Sequence, residues 1–213
     1  LCTGGSVVLT ASAGSTYLWS NKIQTQSITV ATAGSYTVTV TNASGCSATS
    51  VATSVTVNAL PVVASITGSS NVCTGSTTTL ASSTTGGTWS SNNNAVATVS
   101  TTGVVTGVAS GSVTITYSVT NAAGCTASAT ASMTVNPSAT ATIAVNGSTM
   151  LCTGGSVVLT ASAGSTYLWS NGLQTQSITA TTSGSYTVTV TNASGCSATS
   201  TATAVTVDPT PVV

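Results

Sequence analysis

The fold class is decided by the stretch Ser-Tyr-Thr-Val-Thr-Val-Thr, which occurs at residues 35–41 and again, unchanged, at residues 185–191. Large apolar residues alternate with Ser or Thr, and a period of two is the pattern of a β-strand with one buried and one wet face. The Asn-Ala-Ser-Gly that follows each stretch is typical of a turn. No part of the chain has a helical period, so the sequence predicts an all-β fold. Further strands are predicted in the same copy at residues 6–11, 16–20, 27–31 and 47–57.

The chain contains internal repeats. Residues 1–57 and 151–207 align without gaps and differ at seven positions, and a more distant copy lies between them. All four prolines fall between copies, where a residue that cannot donate to a β-ladder is tolerated. About seven short strands per copy fit an immunoglobulin-like β-sandwich.

We therefore predict tandem immunoglobulin-like domains in an elongated rod. The first repeat covers residues 1–57, the second 62–135 and the third 139–207, followed by a linker at 208–213. Residues 140–145 are expected to give the third repeat a leading strand that the first repeat lacks. The sequence is thus expected to be a segment of a longer chain, cut out of phase with its domains.

The near absence of charge excludes most kinds of active site. The chain has one basic residue, Lys22, one acidic residue, Asp208, and no His, whereas about a quarter of residues are charged in ordinary soluble proteins. Acid–base catalysis, carboxylate pairs and Ser–His–Asp triads need residues that the chain lacks. Isolated Cys residues and a single carboxylate do not form a zinc or calcium site. The sequence predicts no enzyme activity, no metal and no cofactor.

Two classes of partner are also excluded by composition. There is no basic patch to contact the phosphates of a nucleic acid. There is no run of about 18 apolar residues for insertion into a membrane.

Each repeat has one Trp and two Cys. Trp19, Trp89 and Trp169 lie 16 or 17 residues after the first Cys of their repeat and are predicted to be core residues of the third strand of a sandwich. All six Cys are predicted to be oxidised and structural, as is common in small extracellular domains. They are Cys2, Cys46, Cys73, Cys125, Cys152 and Cys196.

Two disulfide patterns are open. The simpler pattern pairs Cys within each repeat: Cys2–Cys46, Cys73–Cys125 and Cys152–Cys196. However, the first Cys is expected at the pole where the chain leaves a domain and the second at the pole where it enters, roughly 20 Å apart. A disulfide tolerates at most about 7 Å between Cα atoms. This geometry favours pairing between neighbours: Cys2–Cys125 and Cys73–Cys196, with Cys46 and Cys152 bonded to domains beyond this sequence.

Several segments resemble repeats of very long surface proteins of the Bacteroidota. Cys-Thr-Gly-Gly-Ser-Val-Val-Leu-Thr-Ala at residues 152–161, Tyr-Leu-Trp-Ser-Asn-Gly at 167–172 and the strand at 184–192 are typical of their immunoglobulin-like or PKD-like modules. In the second repeat, residues 87–91, 95–99 and 103–111 resemble a bacterial immunoglobulin-like group 2 domain. The resemblance implies export to the cell surface, by the type IX secretion route.

The leading functional hypothesis is the shaft or spacer of a surface adhesin or filament, whose partners are neighbouring repeats and other copies of the same protein. A surface of Ser and Thr with almost no charge permits close contact between copies. The alternative is a module that binds a glycan or another surface through Tyr17 and Tyr167, although these residues are also suited to covering a sandwich edge. Ice binding by the Thr rows at residues 37–41 and 187–191 is disfavoured because sandwich sheets are twisted.

Overall fold

The computed structural model describes residues 1–211; Val212 and Val213, the end of the predicted linker, lie outside the described residues. Within this range every regular element is a β-strand. No helix long and apolar enough to span a membrane occurs among these residues. The chain divides into two compact units. One comprises Leu1–Ile66, Ser82–Thr88 and Tyr117–Ala129; the other comprises Thr67–Ala81, Trp89–Thr116 and the residues from Thr130 onward.

The strands are short in the first and third repeats, mostly three to five residues. Those of the first repeat are β1 Val7–Thr10, β2 Thr16–Trp19, β3 Ser27–Val30, β4 Gly34–Tyr36, β5 Val38–Thr41, β6 Ser47–Thr49 and β7 Thr53–Val55. Those of the second repeat are β8 Asn71–Cys73, β9 Thr77–Thr79, β10 Thr88–Ser91, β11 Ala97–Val99, β12 Val104–Gly107, β13 Gly111–Thr120 and β14 Thr126–Asn136. Those of the third repeat are β15 Ile143–Asn146, β16 Met150–Cys152, β17 Val157–Ala161, β18 Thr166–Trp169, β19 Ser177–Ala180, β20 Gly184–Tyr186, β21 Val188–Thr191, β22 Ser197–Thr199 and β23 Thr203–Asp208.

The first and third repeats share one strand topology. In the first repeat β1 pairs with β3, β5 lies between β2 and β6, and β4 pairs with β7. The third repeat reproduces these pairings and has two further strands: β15 lies antiparallel to β17, and β16 lies parallel to β23. The two leading strands thus pair with different sheets, β15 with the sheet of β17 and β19 and β16 with the sheet of β20 and β23. Short strands in separate, mostly antiparallel sheets around one core are the arrangement of an immunoglobulin-like sandwich. The predicted fold class, all-β and immunoglobulin-like, is confirmed.

The strand predicted at residues 35–41 is in fact two strands, and so is the one predicted at 47–57. The chain passes from one sheet to the other at Thr37, where its backbone N–H donates to Ser20 Oγ at 3.3 Å. Next to it, Val38 N–H donates to Ser50 Oγ at 3.1 Å. Where the chain changes sheet, these two backbone N–H groups therefore donate to serine hydroxyls, and not to backbone carbonyl oxygens of a neighbouring strand. Tyr36 and Val38, on either side of the break, are both buried, so the alternation of apolar residues continues through the break and cannot reveal it.

Each of these two repeats has its own apolar core. The core of the first repeat consists of Ala11, Trp19, Ile28, Val30, Tyr36, Val38 and Val55. The core of the third consists of Val157, Leu159, Ala161, Trp169, Ile178, Ala180, Tyr186, Val188, Val190 and Val205.

The turn between β2 and β3 provides a matched pair of substitutions. Lys22 has φ 71°, and its counterpart Gly172 has φ 84°. In both turns the residue donates its backbone N–H to the carbonyl oxygen of the preceding Trp, at 2.8 and 2.9 Å. A left-handed conformation is unfavourable for Lys by about 1 kcal/mol and is freely adopted by Gly. Lys22→Gly should therefore raise the free energy of unfolding, and Gly172→Lys should lower it, each by about 1 kcal/mol.

Thermal unfolding of the two variants and the unmodified chain measures both changes. The expected melting temperatures move in opposite directions. A shift of the same sign in both variants would show that the left-handed turn does not set the difference.

Candidate functional site

Two disulfides join the first Cys of one repeat to the second Cys of the next. Cys2 is bonded to Cys125 with 5.6 Å between Cα atoms, and Cys73 to Cys196 with 5.8 Å. These separations lie in the usual range for a disulfide. This is the pairing that was favoured because the two Cys of one repeat are expected at opposite ends of the sandwich. None of the three within-repeat pairs is present. We call them the junction disulfides.

Cys46 and Cys152 are exposed thiols in the described structure. They are the second Cys of the first repeat and the first Cys of the third. The bonds expected for them, to domains beyond this sequence, remain a prediction.

The first Cys of each repeat begins a turn that is hydrogen-bonded to the residue directly after the same repeat. Thr3 N–H and its hydroxyl donate to Asn58 O at 2.9 and 3.1 Å. Thr74 makes the same two bonds to Asn136 O, and Thr153 makes them to Asp208 O. The next residue is a glycine with positive φ in all three cases, which lets the chain reverse without strain. The Cys-Thr-Gly sequence therefore fixes the first Cys beside the point where the chain leaves the repeat.

The second Cys of each repeat ends an Asn-x-x-Gly-Cys turn. Asn121 Oδ1 accepts hydrogen bonds from Ala123 N–H at 3.1 Å and from Cys125 N–H at 3.0 Å. The equivalent oxygens of Asn42 and Asn192 make the same pair of bonds in their turns. Because the side-chain oxygen is used inside the turn, the side-chain NH₂ is left to point outward.

At both junctions this outward amide binds the linker of the preceding repeat. Asn121 Nδ2 donates to Ala59 O at 2.8 Å, and Asn192 Nδ2 donates to Pro137 O at 2.9 Å. At the second junction, Ser138 Oγ also donates to Thr74 O at 2.6 Å. Each linker is therefore held by the amide of an Asn that lies four residues before a disulfide-bonded Cys. This amide bond recurs at both junctions.

Neither the Thr nor the Asn was assigned a junction role from sequence. The signal was present, because Cys-Thr-Gly and Asn-x-x-Gly-Cys occur in all three repeats. From the sequence alone, the Asn motif indicates only a turn, and the Cys-Thr-Gly motif belongs only to a segment that resembles other surface-protein repeats. The role of each motif depends on which backbone carbonyl oxygen lies within hydrogen-bond distance of its Thr or Asn side chain. The sequence does not show this.

The three Trp side chains differ in burial. Trp19 and Trp169 lie within the two cores, and each ring N–H donates to a backbone carbonyl, of Thr25 and Thr175, at 2.8 Å. Trp89 is only half-buried. Its ring lies against Gly103, where an added Cβ would be 3.2 Å from the ring. The assignment of Trp89 to the core of its repeat remains a prediction.

The two Tyr residues considered as glycan platforms are held in place. Tyr17 is half-buried, and its hydroxyl accepts from Gly14 N–H and donates to Gly14 O, both at 2.9 Å. Tyr167 makes the same two bonds with Gly164 at 3.0 Å. Both rings pack against the apolar cores. This is the arrangement of a Tyr that covers a sandwich edge.

No cluster of three or more His, Cys, Asp or Glu side chains suited to a metal occurs among residues 1–211. The hydrogen bonds at the junctions connect neutral groups.

We expect melting curves with and without EDTA to superimpose, because removing metal ions breaks none of these hydrogen bonds. A decrease of about 4 °C or more, equivalent to about 1 kcal/mol of linked binding, would contradict this.

Comparison with known proteins agrees with the fold. Residues 51–131 match the model of the bacterial Ig-like domain (group 2) family. The resemblance expected for the second repeat is thereby confirmed. None of the curated proteins that were compared matches the sequence.

The chain is also similar to several solved structures. One is a Ca²⁺-stabilised adhesin with which an Antarctic bacterium binds ice, 20% identical over 99% of this chain and 71% of that chain, with a TM-score of 0.35. Another is domains 3–5 of Drosophila OTK, 14% identical over 99% and 93%, with a TM-score of 0.34. A third is domains 1–6 of the surface layer protein SbsC, 20% identical over 92% and 35%, with a TM-score of 0.33.

Proposed function

We propose that this chain is a non-catalytic structural segment, the shaft or spacer of an extracellular adhesin or filament on a bacterial surface. The observation that carries the proposal is the junction that occurs at both linkers. Each junction has a disulfide, a Thr side chain (Thr3 or Thr74) bonded to the carbonyl oxygen of an Asn at the start of the linker, and an Asn amide bonded to the next carbonyl oxygen. Such junctions restrict bending between repeats and add covalent bonds that bear tension. Disulfides persist in oxidising, extracellular surroundings, which supports a location at the cell surface or in the medium.

The junction pattern also supports extension of the array. Cys46 ends the Asn42 turn, which in the other repeats ends at a Cys bonded to the preceding repeat. Cys152 is followed by Thr153, which makes the same hydrogen bond as the Thr beside each Cys that is bonded to the following repeat. The two exposed thiols are therefore complementary halves of the same junction. In the proposed function they bond to neighbouring repeats or to other copies in a filament. A Bacteroidota origin and type IX export belong to this proposal through the resemblance of the repeats.

Stretching single molecules tests the load-bearing function. With both junction disulfides intact, the shortest covalent path from Cys2 to Cys196 contains only the 52 residues that separate Cys73 from Cys125. The unfolded path is then about 180 Å long, at about 3.5 Å per residue. In the reduced chain the path contains 194 residues and extends to about 680 Å.

The matched control is Cys46→Ser/Cys152→Ser, which leaves both junction disulfides in place and should keep the short extension. An oxidised chain that extends as far as the reduced chain would contradict the proposal, because its disulfides would then bear no load.

The glycan-binding alternative is not favoured by any observation at Tyr17 or Tyr167, whose hydroxyls are bonded to their own loops. Incubation of the chain with a glycan array tests it. Binding that is lost in Tyr17→Phe/Tyr167→Phe would establish the alternative.

A further inference from the structure

Asn121 binds both a Cys of the first junction disulfide and the linker in front of it. Its Oδ1 accepts from Cys125 N–H at 3.0 Å, and its backbone N–H donates to Cys125 O at 2.9 Å. Both backbone polar groups of Cys125 are thus bonded to this one residue. The remaining polar group of the side chain, Nδ2, donates to Ala59 O of the linker at 2.8 Å. Asn121 therefore fixes the position of Cys125 relative to the linker.

The other Cys of this disulfide is fixed to the same linker. Thr3, directly after Cys2, donates through its backbone N–H and its hydroxyl to Asn58 O at 2.9 and 3.1 Å. Asn58 directly precedes Ala59, so consecutive carbonyl oxygens of the linker are bonded to residues beside the two Cys. These hydrogen bonds connect the two Cys without the S–S bond, and they can form while both Cys are still thiols.

The second junction has the same arrangement on a different linker sequence. Asn192 Oδ1 accepts from Cys196 N–H at 3.1 Å, and Asn192 Nδ2 donates to Pro137 O at 2.9 Å. The first linker has Asn-Ala-Leu-Pro at 58–61, and the second has Asn-Pro-Ser at 136–138. Because the acceptors are backbone carbonyl oxygens, the Asn amide binds both linkers in the same way although their side chains differ.

Chain length alone does not select the observed pairs. Cys46 is 44 residues from Cys2, whereas Cys125 is 123 residues from it. Because the probability of loop closure falls with about the 3/2 power of loop length, an unfolded chain brings Cys2 to Cys46 about five times as often as to Cys125. The observed pair therefore has to be selected by folded structure that exists before the S–S bond forms.

We propose that Asn121 and Asn192 are positioning residues for disulfide formation: each holds the two Cys of its junction close together before they are oxidised. The Asn amide thereby selects pairing between successive repeats over pairing within a repeat. The inference is independent of the shaft function, because it concerns how the junctions form and not what load they bear.

The oxidant is a low-molecular-weight disulfide, RSSR, and the junction bond forms in two exchange steps. Cys2 and Cys73 are partly exposed, whereas Cys125 and Cys196 are buried. The thiolate of the exposed Cys attacks RSSR, which forms a mixed disulfide and releases one RS⁻. The thiolate of the buried Cys then attacks Sγ of the exposed Cys, which forms the junction bond and releases the second RS⁻. The two protons lost by the Cys thiols are taken up by the two RS⁻, so two Cys are oxidised and RSSR is reduced to two RSH.

Oxidative refolding of the reduced full chain with oxidised glutathione tests the proposal, with early samples alkylated and their disulfides mapped. The variant is Asn121→Asp, because a carboxylate still accepts the N–H groups of the turn but cannot donate to the linker. Among the earliest disulfides the fraction of Cys2–Cys125 should fall about fivefold, the change in an equilibrium that corresponds to one neutral hydrogen bond. The fraction of Cys73–Cys196 should not change, and its formation shows that the variant chain folds.

Two further variants serve as controls. Asn192→Asp should give the reciprocal result, a loss of Cys73–Cys196 with the other junction unchanged. Asn42 makes the same two turn bonds but lies at no junction between the described repeats. Asn42→Asp therefore adds the same charge in the same turn and should leave both junction pairs unchanged.

A purely structural role of Asn121 predicts a different result. Asn121→Asp would then lower the free energy of unfolding of the fully oxidised chain and leave the early pairs unchanged, and this outcome overturns the proposal. An equal loss of both pairs in Asn121→Asp, or a loss of either pair in Asn42→Asp, also overturns it. An early loss confined to the junction of the substituted Asn supports it.

Discussion

Removing a junction disulfide should lower the free energy of unfolding by about 5 kcal/mol, the largest effect expected of any small change in this chain. Cys2 and Cys125 are 123 residues apart in the sequence, and a crosslink that closes so long a loop removes much entropy from the unfolded chain. A small domain has a total stability of about 5–15 kcal/mol. Denaturant unfolding of Cys2→Ser/Cys125→Ala measures the loss; Ala is chosen at position 125 because that side chain is buried.

The matched control is Cys46→Ser/Cys152→Ser. Both thiols are exposed and unpaired in the described structure, so the stability of the chain should change by no more than about 0.5 kcal/mol. Equal losses in the two double variants would mean that the junction disulfides do not restrict the unfolded chain.

Trp169→Ala should lower the stability of the third repeat by about 3–5 kcal/mol. The side chain is 2% exposed within the core of the third repeat, and its ring N–H donates to Thr175 O. Truncation therefore leaves a large cavity and an unpaired carbonyl. Hydrogen exchange of the β18 and β21 amides reports the loss locally, without depending on Trp fluorescence.

The adjacent residue Leu168 gives the control, because it is 51% exposed and in the same strand. Leu168→Ala should change the stability by no more than about 0.5–1 kcal/mol. Trp89→Ala should fall between the two, since Trp89 is half-buried. A Trp169→Ala loss no larger than that of Leu168→Ala would contradict the assignment of Trp169 to the core.

Much of the fold could be predicted because it depends on local pattern. The alternation in residues 35–41 identifies a strand wherever that strand lies. It could not reveal the change of sheet at Thr37, because Tyr36 and Val38 are buried on both sides of the change. Trp89 shows the same limit: it lies 16 residues after the first Cys of its repeat, against 17 for Trp19 and Trp169, yet it is half-buried whereas they are buried.

The junction was predicted only in part, for a physical reason. The pairing between neighbours was favoured over pairing within a repeat because a sandwich is longer than a disulfide can reach, and both of these lengths are general. The bonds of Asn121 and Asn192 depend on a linker carbonyl lying opposite a turn, which is a property of the assembled fold.

Disulfide mapping under non-reducing conditions tests the central claim, a covalent junction between successive repeats, most directly. Trypsin is unsuitable because the chain has a single Lys and no other basic residue, so chymotrypsin or pepsin digests are needed. Alkylation before reduction should mark Cys46 and Cys152 alone. The account predicts crosslinked peptides that contain Cys2 with Cys125 and Cys73 with Cys196. A peptide that joins Cys2 to Cys46 or Cys73 to Cys125 would contradict it.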